Sequence, residues 1–489
     1  MDYQEWEFFE AEIRSDVYTV VDQGPLHGPV ASFVIKRDNR LNLVLESTST
    51  VNSLPSEREP VANAVYRPDG QVHCQSRYTG TTVTARGVSP RGYSVSLPMV
   101  ATADAAAATM VQTSMIESLH WANSHSGEAL YVMDWIENLS GSFIWPDSDN
   151  VDELDVKSRT LRSLSGEDIV IPSTTTSSKH SRSCARLSIG GWDIVIGESR
   201  AKPEHIKNPG FILYLGLPDE ETRSRIRGCL SFFLGDYFVY LGSTTFDAKW
   251  EAVSFCAVAA HALVEDAHDI SGRPPAPLGL KYEHEVNAAL LSSMASGLFA
   301  AYEAYNLRTA FWNYWHAAAA PVHMVAAHFG AAIEALQRAY FSNTGAGGHT
   351  RIVASEEAWR ELCMQIDRSI KDSALSSEEK RMLGNKAQHL NSAPQAVLAD
   401  RFFAAIGLEI SALEKSVWIN RNRAAHGGGV TEDRGIQTVR ENKVLMMLMN
   451  RILLSISGSG DLYYDYYTLN RPTRRLSEPV PDDRPPRAR

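Results

Sequence analysis

Hydrophobic and polar positions follow two different rhythms along this chain, and the change falls near residue 245. Before it, short alternating segments dominate. Leu41, Asn42, Leu43, Val44 and Leu45 alternate as a half-buried strand does. Residues 17–21, 32–35, 81–85, 93–97, 189–196 and 211–217 read the same way. Turn-formers separate them: Gly24 and Pro25, Asp69 and Gly70, Pro90 to Gly92, Gly190 and Gly191. Regular short strands with turn signals predict a sandwich or a barrel. Helical interruptions are expected at 104–120 and 219–233. The second opens with Pro218 and the acidic Asp219, Glu220 and Glu221, which favour a helix N-terminus. Residues 147–183 are polar and rich in Ser and Thr, which reads as a surface loop or a join between two β-rich halves.

After residue 245 the period becomes helical. Residues 250–267 are Ala-rich and apolar, and a break rich in Pro and Gly follows at 272–277. Helices are expected at 284–305, 322–341, 356–370, 377–390, 399–423 and 437–456. In the second, Val325, Phe329, Ile333, Leu336 and Tyr340 recur at three- and four-residue steps and form one stripe. Mostly short loops join these segments, so an antiparallel bundle is the default. The expected fold class is therefore α+β. A β-rich N-terminal region with helical insertions (1–245, divided into two subdomains near 147–183) leads through a helical connector (246–283) to an all-α bundle (284–470). A Pro- and Arg-rich tail (471–489) is expected to be disordered.

Composition narrows the function classes. The 489 residues and 54.0 kDa fit two to four domains. The formal net charge of −11 argues against coating nucleic acid through bulk charge, yet leaves room for a local basic cleft. No apolar run is long enough to span a bilayer. The acidic N-terminus lacks the basic-then-apolar profile of a signal peptide, so a cytoplasmic protein without membrane contact is expected. The cysteines (Cys74, Cys184, Cys229, Cys256 and Cys363) are odd in number, scattered and without a CxxC pair, as expected of reduced packing thiols.

The most informative stretch runs from Asn420 to Gly427 and closes a helix whose stripe is Ile410, Leu413 and Val417. The glycines at 427–429 end it. Histidine, with a pKa of about 6.5, takes or gives a proton at neutral pH. Arginine is always charged and offers a planar fork to phosphate oxygens. Asn422 can orient either His426 or a phosphate oxygen. Asn422 and His426 are four apart and share a helical face. Arg421 and His426 lie roughly 140° apart on a straight helix. Either the long arginine reaches around, or a second copy across a two-fold axis completes the site. The alternative reading is a helix C-terminus whose cations complement its dipole.

Arg421 and Asn422, three intervening residues, then His426 and Gly427 resemble the signature of the HEPN superfamily of helical ribonucleases, and the surroundings resemble its Apea-like branch. Residues 326–336, with internal Glu334, look like that family's early helix. Residues 448–454, followed by Gly458, Gly460, Tyr463, Tyr464, Asp465 and Tyr466, look like its closing helix and aromatic exit. The likeness covers about 285–470, with a looser one over 1–245, and it departs from the minimal pattern in the triple glycine. It implies a dimeric endoribonuclease that uses no metal and no cofactor. His426 would serve as base on the ribose 2′-hydroxyl or acid on the 5′-oxygen. Arg421 would stabilise the phosphorane, and Asn422 would position His426 or the phosphate. Products would carry 2′,3′-cyclic and then 3′-phosphate ends. In the family an acidic residue from an earlier helix can approach the Arg or His, which makes Glu334 a supporting candidate and an ordinary surface glutamate equally. Arg423 would contact RNA backbone or be a solvated helix-end arginine. The setting implied is bacterial defence against phage through growth arrest, with the N-terminal region as sensor of a phage trigger and with RNA, transfer RNA included, as substrate. A non-catalytic HEPN module that binds RNA or a partner, in a defence or toxin–antitoxin complex, is the alternative.

Other constellations are weaker. His316, His323 and His328 share a helical region, but no carboxylate stands at ligand spacing. Phe311, Trp312, Tyr314 and Trp315 are expected to pack a core or a dimer face, with base stacking as the alternative. The glycine-rich 345–348 stretch lacks the Lys-Ser/Thr of a phosphate loop and reads as a turn.

Overall fold

The computed structural model describes residues 17–51, 70–96, 108–123, 126–139, 143, 145, 150–161, 169–181, 183–199, 206–260, 270, 272–279, 285–345, 349–421 and 435–482, with backbone alone for 150–161 and 169–181. The chain divides into two compact units. One comprises Met1–Arg223, Asp236–Gly272 and Leu278–Ser292; the other comprises Ser224–Gly235, Arg273–Pro277 and Ser293–Arg489.

The first unit is built of antiparallel sheets. Its strands are β1 (Tyr18–Asp22), β2 (Val30–Arg37), β3 (Leu43–Val51), β4 (Gln71–Ser76), β5 (Thr82–Arg86), β6 (Ser89–Ser96), β7 (Ala108–Ile116), β8 (Ser118–Ala122), β9 (Tyr131–Glu137), β10 (Asn150–Leu161), β11 (Ile169–Ser181), β12 (Cys184–Ile189), β13 (Trp192–Glu198), β14 (Pro209–Tyr214), β15 (Val239–Phe246) and β16 (Ala252–Val258). Ten of them form one sheet in the order β1-β4-β5-β8-β16-β15-β9-β14-β13-β12. A four-stranded sheet runs β2-β3-β7-β6, and β10 pairs with β11 alone. One core joins the two larger sheets: Ile35, Leu43, Leu45 and Ile116 of the smaller share it with Val83, Leu119, Trp121, Trp135 and Phe255 of the larger. Face-to-face burial of two sheets is a sandwich. Arg37 pins it internally. Its guanidinium donates to the carbonyls of Leu41 (2.7 Å), Val258 (2.8 Å) and Leu241 (2.7 Å).

The second unit is helical. The element α1 (Glu220–Leu234) crosses into it, as does α2 (Ala288–Ala301). Then follow α3 (Leu307–Ala319), α4 (Val325–Asn343), α5 (Glu356–Asp372), α6 (Ser377–Gln388), α7 (Gln395–Ala405), α8 (Ala412–Asn420) and α9 (Gly435–Ser457). Strands β17 (Leu462–Tyr464) and β18 (Thr473–Arg475) pair after α9. Phe329, Ile333 and Leu336 of α4 are buried, as the predicted stripe requires, together with Tyr314 and Leu448. Tyr314 donates to Asn450 of α9 at 3.0 Å. Gly297 lets α2 lie close against α9, since a Cβ there would stand 1.9 Å from the Ser457 carbonyl oxygen.

The α+β class and the order of β-rich and helical regions agree with the sequence reading, whereas several elements do not. Residues 104–120 were expected to be helical, but their described part forms β7 and β8. Residues 250–267 were expected to be helical as well, and 252–258 are strand β16. The supposed loop at 147–183 holds β10 and β11. The described part of the supposed helix 399–423 is two helices, parted at Gly407 with φ of 70°. The tail expected to be disordered is strand at Thr473–Arg475, and Val480 is fully buried. Residues 483–489 lie outside the described residues.

Candidate functional site

The site is built on α8. Ser411 starts it, accepting a bond from the Glu414 amide (3.1 Å) while the Glu414 carboxylate accepts one from the Ser411 amide (2.8 Å). This capping box satisfies two otherwise orphaned donors. Leu413, Val417 and Trp418 bury the inner face. Glu414 is buried with them because its other oxygen pairs with Arg451 of α9, also fully buried. Arg451 further donates to the carbonyls of Glu409 and Leu476, each at 2.9 Å, and lies 5.4 Å from the Tyr463 ring. One carboxylate thus caps α8 and ties it to the closing helix.

At the other end of α8, Arg421 keeps helical angles (φ −54°, ψ −30°), and its amide still reaches the Val417 carbonyl. Its side chain turns inward and is only 5% exposed. The guanidinium lies 3.3 Å over the Trp418 ring, and Nη1 donates to the Trp418 carbonyl at 2.7 Å. Nη2 pairs with Glu334 of α4. Gly330, one turn before Glu334, gives the arginine its room: a Cβ there would stand 3.0 Å from Arg421 Cδ. Burial draws the guanidinium down from its ordinary value, while the hydrogen bond and charge of Glu334 act the other way. Glu334 keeps 37% of its side chain exposed, so the pair presents a carboxylate to solvent and the cation to the interior.

Of the predicted site residues, the structure therefore brings Arg421 and Glu334 together across two helices. Asn422, Arg423 and His426 lie outside the described residues. Sequence reasoning missed Trp418 and Gly330 as partners of Arg421. An aromatic three residues before the arginine was the readable sign of the first. Arg451 lies within the 448–454 stretch, but nothing in the sequence pointed to its partner Glu414, thirty-seven positions earlier.

Within the β-rich unit a second pair of reactive types meets. Cys256 and His120 face each other across β16 and β8, with Sγ 3.8 Å from Nε2, and Ser118 Oγ lies 3.1 Å from the same nitrogen. Burial pushes the thiol up to about 11. Burial and then Arg86 hold His120 below its ordinary value. The neutral thiol and neutral imidazole are favoured, which is the wrong charge state for a thiolate nucleophile.

Among the described residues no group of three or more His, Cys, Asp or Glu is placed to hold a metal ion, and no helix is long and apolar enough to cross a membrane. Compared with family models, with curated proteins and with solved structures, the chain matches none.

Proposed function

We propose that this chain is a HEPN-type endoribonuclease that cleaves RNA through attack of the ribose 2′-hydroxyl, without a metal. The observation that carries the reading is the Arg421–Glu334 pair. It fixes the end of α8, the last described residue before Asn422, against α4. His426 is the acid or base, a role worth about 10²–10⁴ in rate. Asn422 orients it. Arg421 acts first as the anchor; its charge reaches a phosphate only if a phosphate oxygen replaces the Glu334 carboxylate. In this reading the protein is a cytoplasmic homodimer serving defence against phage, with the β-rich unit as regulator.

The second reading is a non-catalytic module that binds RNA or a partner protein. The burial of Arg421 against Trp418 favours it, because a cation already paired inside the bundle is less ready to meet a phosphorane. Incubating the purified chain with RNA in chelator, then identifying the 3′ ends, separates the two. Cyclic or 3′-phosphate ends that disappear in His426→Ala support the ribonuclease. RNA that is bound and left intact supports the module.

A further inference from the structure

The outer surface of α3 and α4 carries a constellation that the proposed site does not use. We propose that it is a docking strip for single-stranded nucleic acid, with an unpaired base stacked on Trp312 and the phosphate chain running past His316, His328, Arg308 and Arg338.

Arg308, Trp312 and His316 follow one another at four-residue steps on α3, and His328, Ala331, Ala335 and Arg338 at three- and four-residue steps on α4. Residues so spaced share a helix face. The two helices run antiparallel. Tyr305 meets Tyr340 at one end (ring centroids 5.8 Å apart), and His316 meets His328 at the other (6.0 Å).

Trp312 is 56% exposed, although Phe311, Tyr314 and Trp315 beside it are buried. It is held in place nonetheless. The His316 imidazole stacks on it at 3.8 Å, and His328 approaches at 6.4 Å. His316 Nδ1 lies 2.7 Å from the Trp312 carbonyl oxygen. A carbonyl only accepts, so Nδ1 carries the hydrogen and Nε2 remains for a ligand. Arg308, Ala331 and Arg338 are exposed, and neither arginine forms an ion pair among the described residues.

An ordered, more than half exposed indole with two arginines on the same surface is what single strands bind, through base stacking and phosphate contact. A duplex has no free base face to offer. In a chain of net charge −11 these cations are a local feature and not a by-product of bulk charge. Glu334 stands one turn before Arg338 on α4, so the strip borders the Arg421 anchor. The preference for RNA over DNA rests on the ribonuclease reading; the docking itself does not.

The test is fluorescence anisotropy with labelled oligouridine, its DNA counterpart and an RNA duplex of equal length, on the full chain carrying His426→Ala. Trp312→Ala is expected to weaken single-strand binding ~10–100-fold, with Trp312→Phe retaining most of it. Arg308→Glu with Arg338→Glu should weaken binding and flatten its salt dependence. Trp312 is on the surface, so thermal melts should be unchanged. Unchanged affinity in Trp312→Ala, or a duplex bound as tightly as a single strand, overturns the proposal. His426-dependent cleavage that ignores Trp312 would sink the strip and spare the ribonuclease. Trp312-dependent binding without cleavage by the unmodified chain would do the reverse.

Discussion

Arg421 at the end of α8 donates to Glu334 on α4 while its own guanidinium covers Trp418 at 3.3 Å, so one side chain locks two helices and a terminus. Contacting charges of this kind couple by about 0.5–3 kcal/mol. Urea unfolding of Arg421→Met, Glu334→Gln and the double variant should return a coupling in that range. Arg421→Lys should not restore it, because an ammonium lacks the planar stacking surface. Strict additivity of the two single changes would show that the pair carries no weight.

Arg451 and Glu414 form the deeper pair, both fully buried. Removing one partner leaves a lone charge in the core and should cost about 3–5 kcal/mol. Glu414→Gln also strips the negative charge from the α8 capping box. Arg451→Met is expected to unfold the helical unit at lower urea, and replacing both residues by apolar ones should recover only part of the loss, because the capping box and the Glu409 and Leu476 carbonyls lose their partners too. A double variant as unstable as either single one would contradict this.

The β-rich unit has its own clamp in Arg37. Replacing it by leucine would leave three carbonyls, those of Leu41, Leu241 and Val258, without these partners. The Leu41 carbonyl also accepts from the Ala260 amide at 3.3 Å, so the loss should be about 1–3 kcal/mol for each carbonyl left without a donor. Thermal unfolding monitored on this unit's tryptophan fluorescence would show it, and a shift within error would mean that water takes the arginine's place.

Acid sensitivity should be read at Asp465. Its burial opposes ionisation, but bonds from Thr468, Arg474 and the Tyr467 amide outweigh that and hold the carboxyl below its ordinary value. A folded-state pKa below the unfolded one of about 3.9 contributes stability that is complete above that value and is lost as pH falls through the folded one. Asp465→Asn should thus lower the melting temperature at neutral pH and flatten its decline below about pH 4. A variant that declines with acid as steeply as the unmodified chain would place the sensitivity elsewhere.

How far the sequence disclosed this structure can be seen in particular elements. Alternation revealed β2, β3 and β5 because each has one face in the core. It failed at β7, where buried Gln112 and Ser114 take positions that apolar residues would otherwise mark and an alanine run precedes them. Alanine richness likewise masked β16. At β10 and β11 the Ser and Thr content read as loop, although a backbone ladder needs no apolar side chains. The α3 helix was touched on only through His316 and the aromatics before it. At the candidate site Arg421 and Glu334 were both legible, one from its motif and one from its helix. That Arg421 turns inward was not, because spacing along one helix says nothing of the neighbouring helix that Gly330 lets approach.

The most direct test of the central claim maps RNA 3′ ends in bacteria expressing the unmodified chain or His426→Ala, with and without phage, in libraries that distinguish cyclic or 3′-phosphate from 3′-hydroxyl ends. New cyclic or 3′-phosphate ends should be confined to the unmodified chain and increased by phage. Identical end profiles from both proteins, each folded and equally abundant, would contradict it.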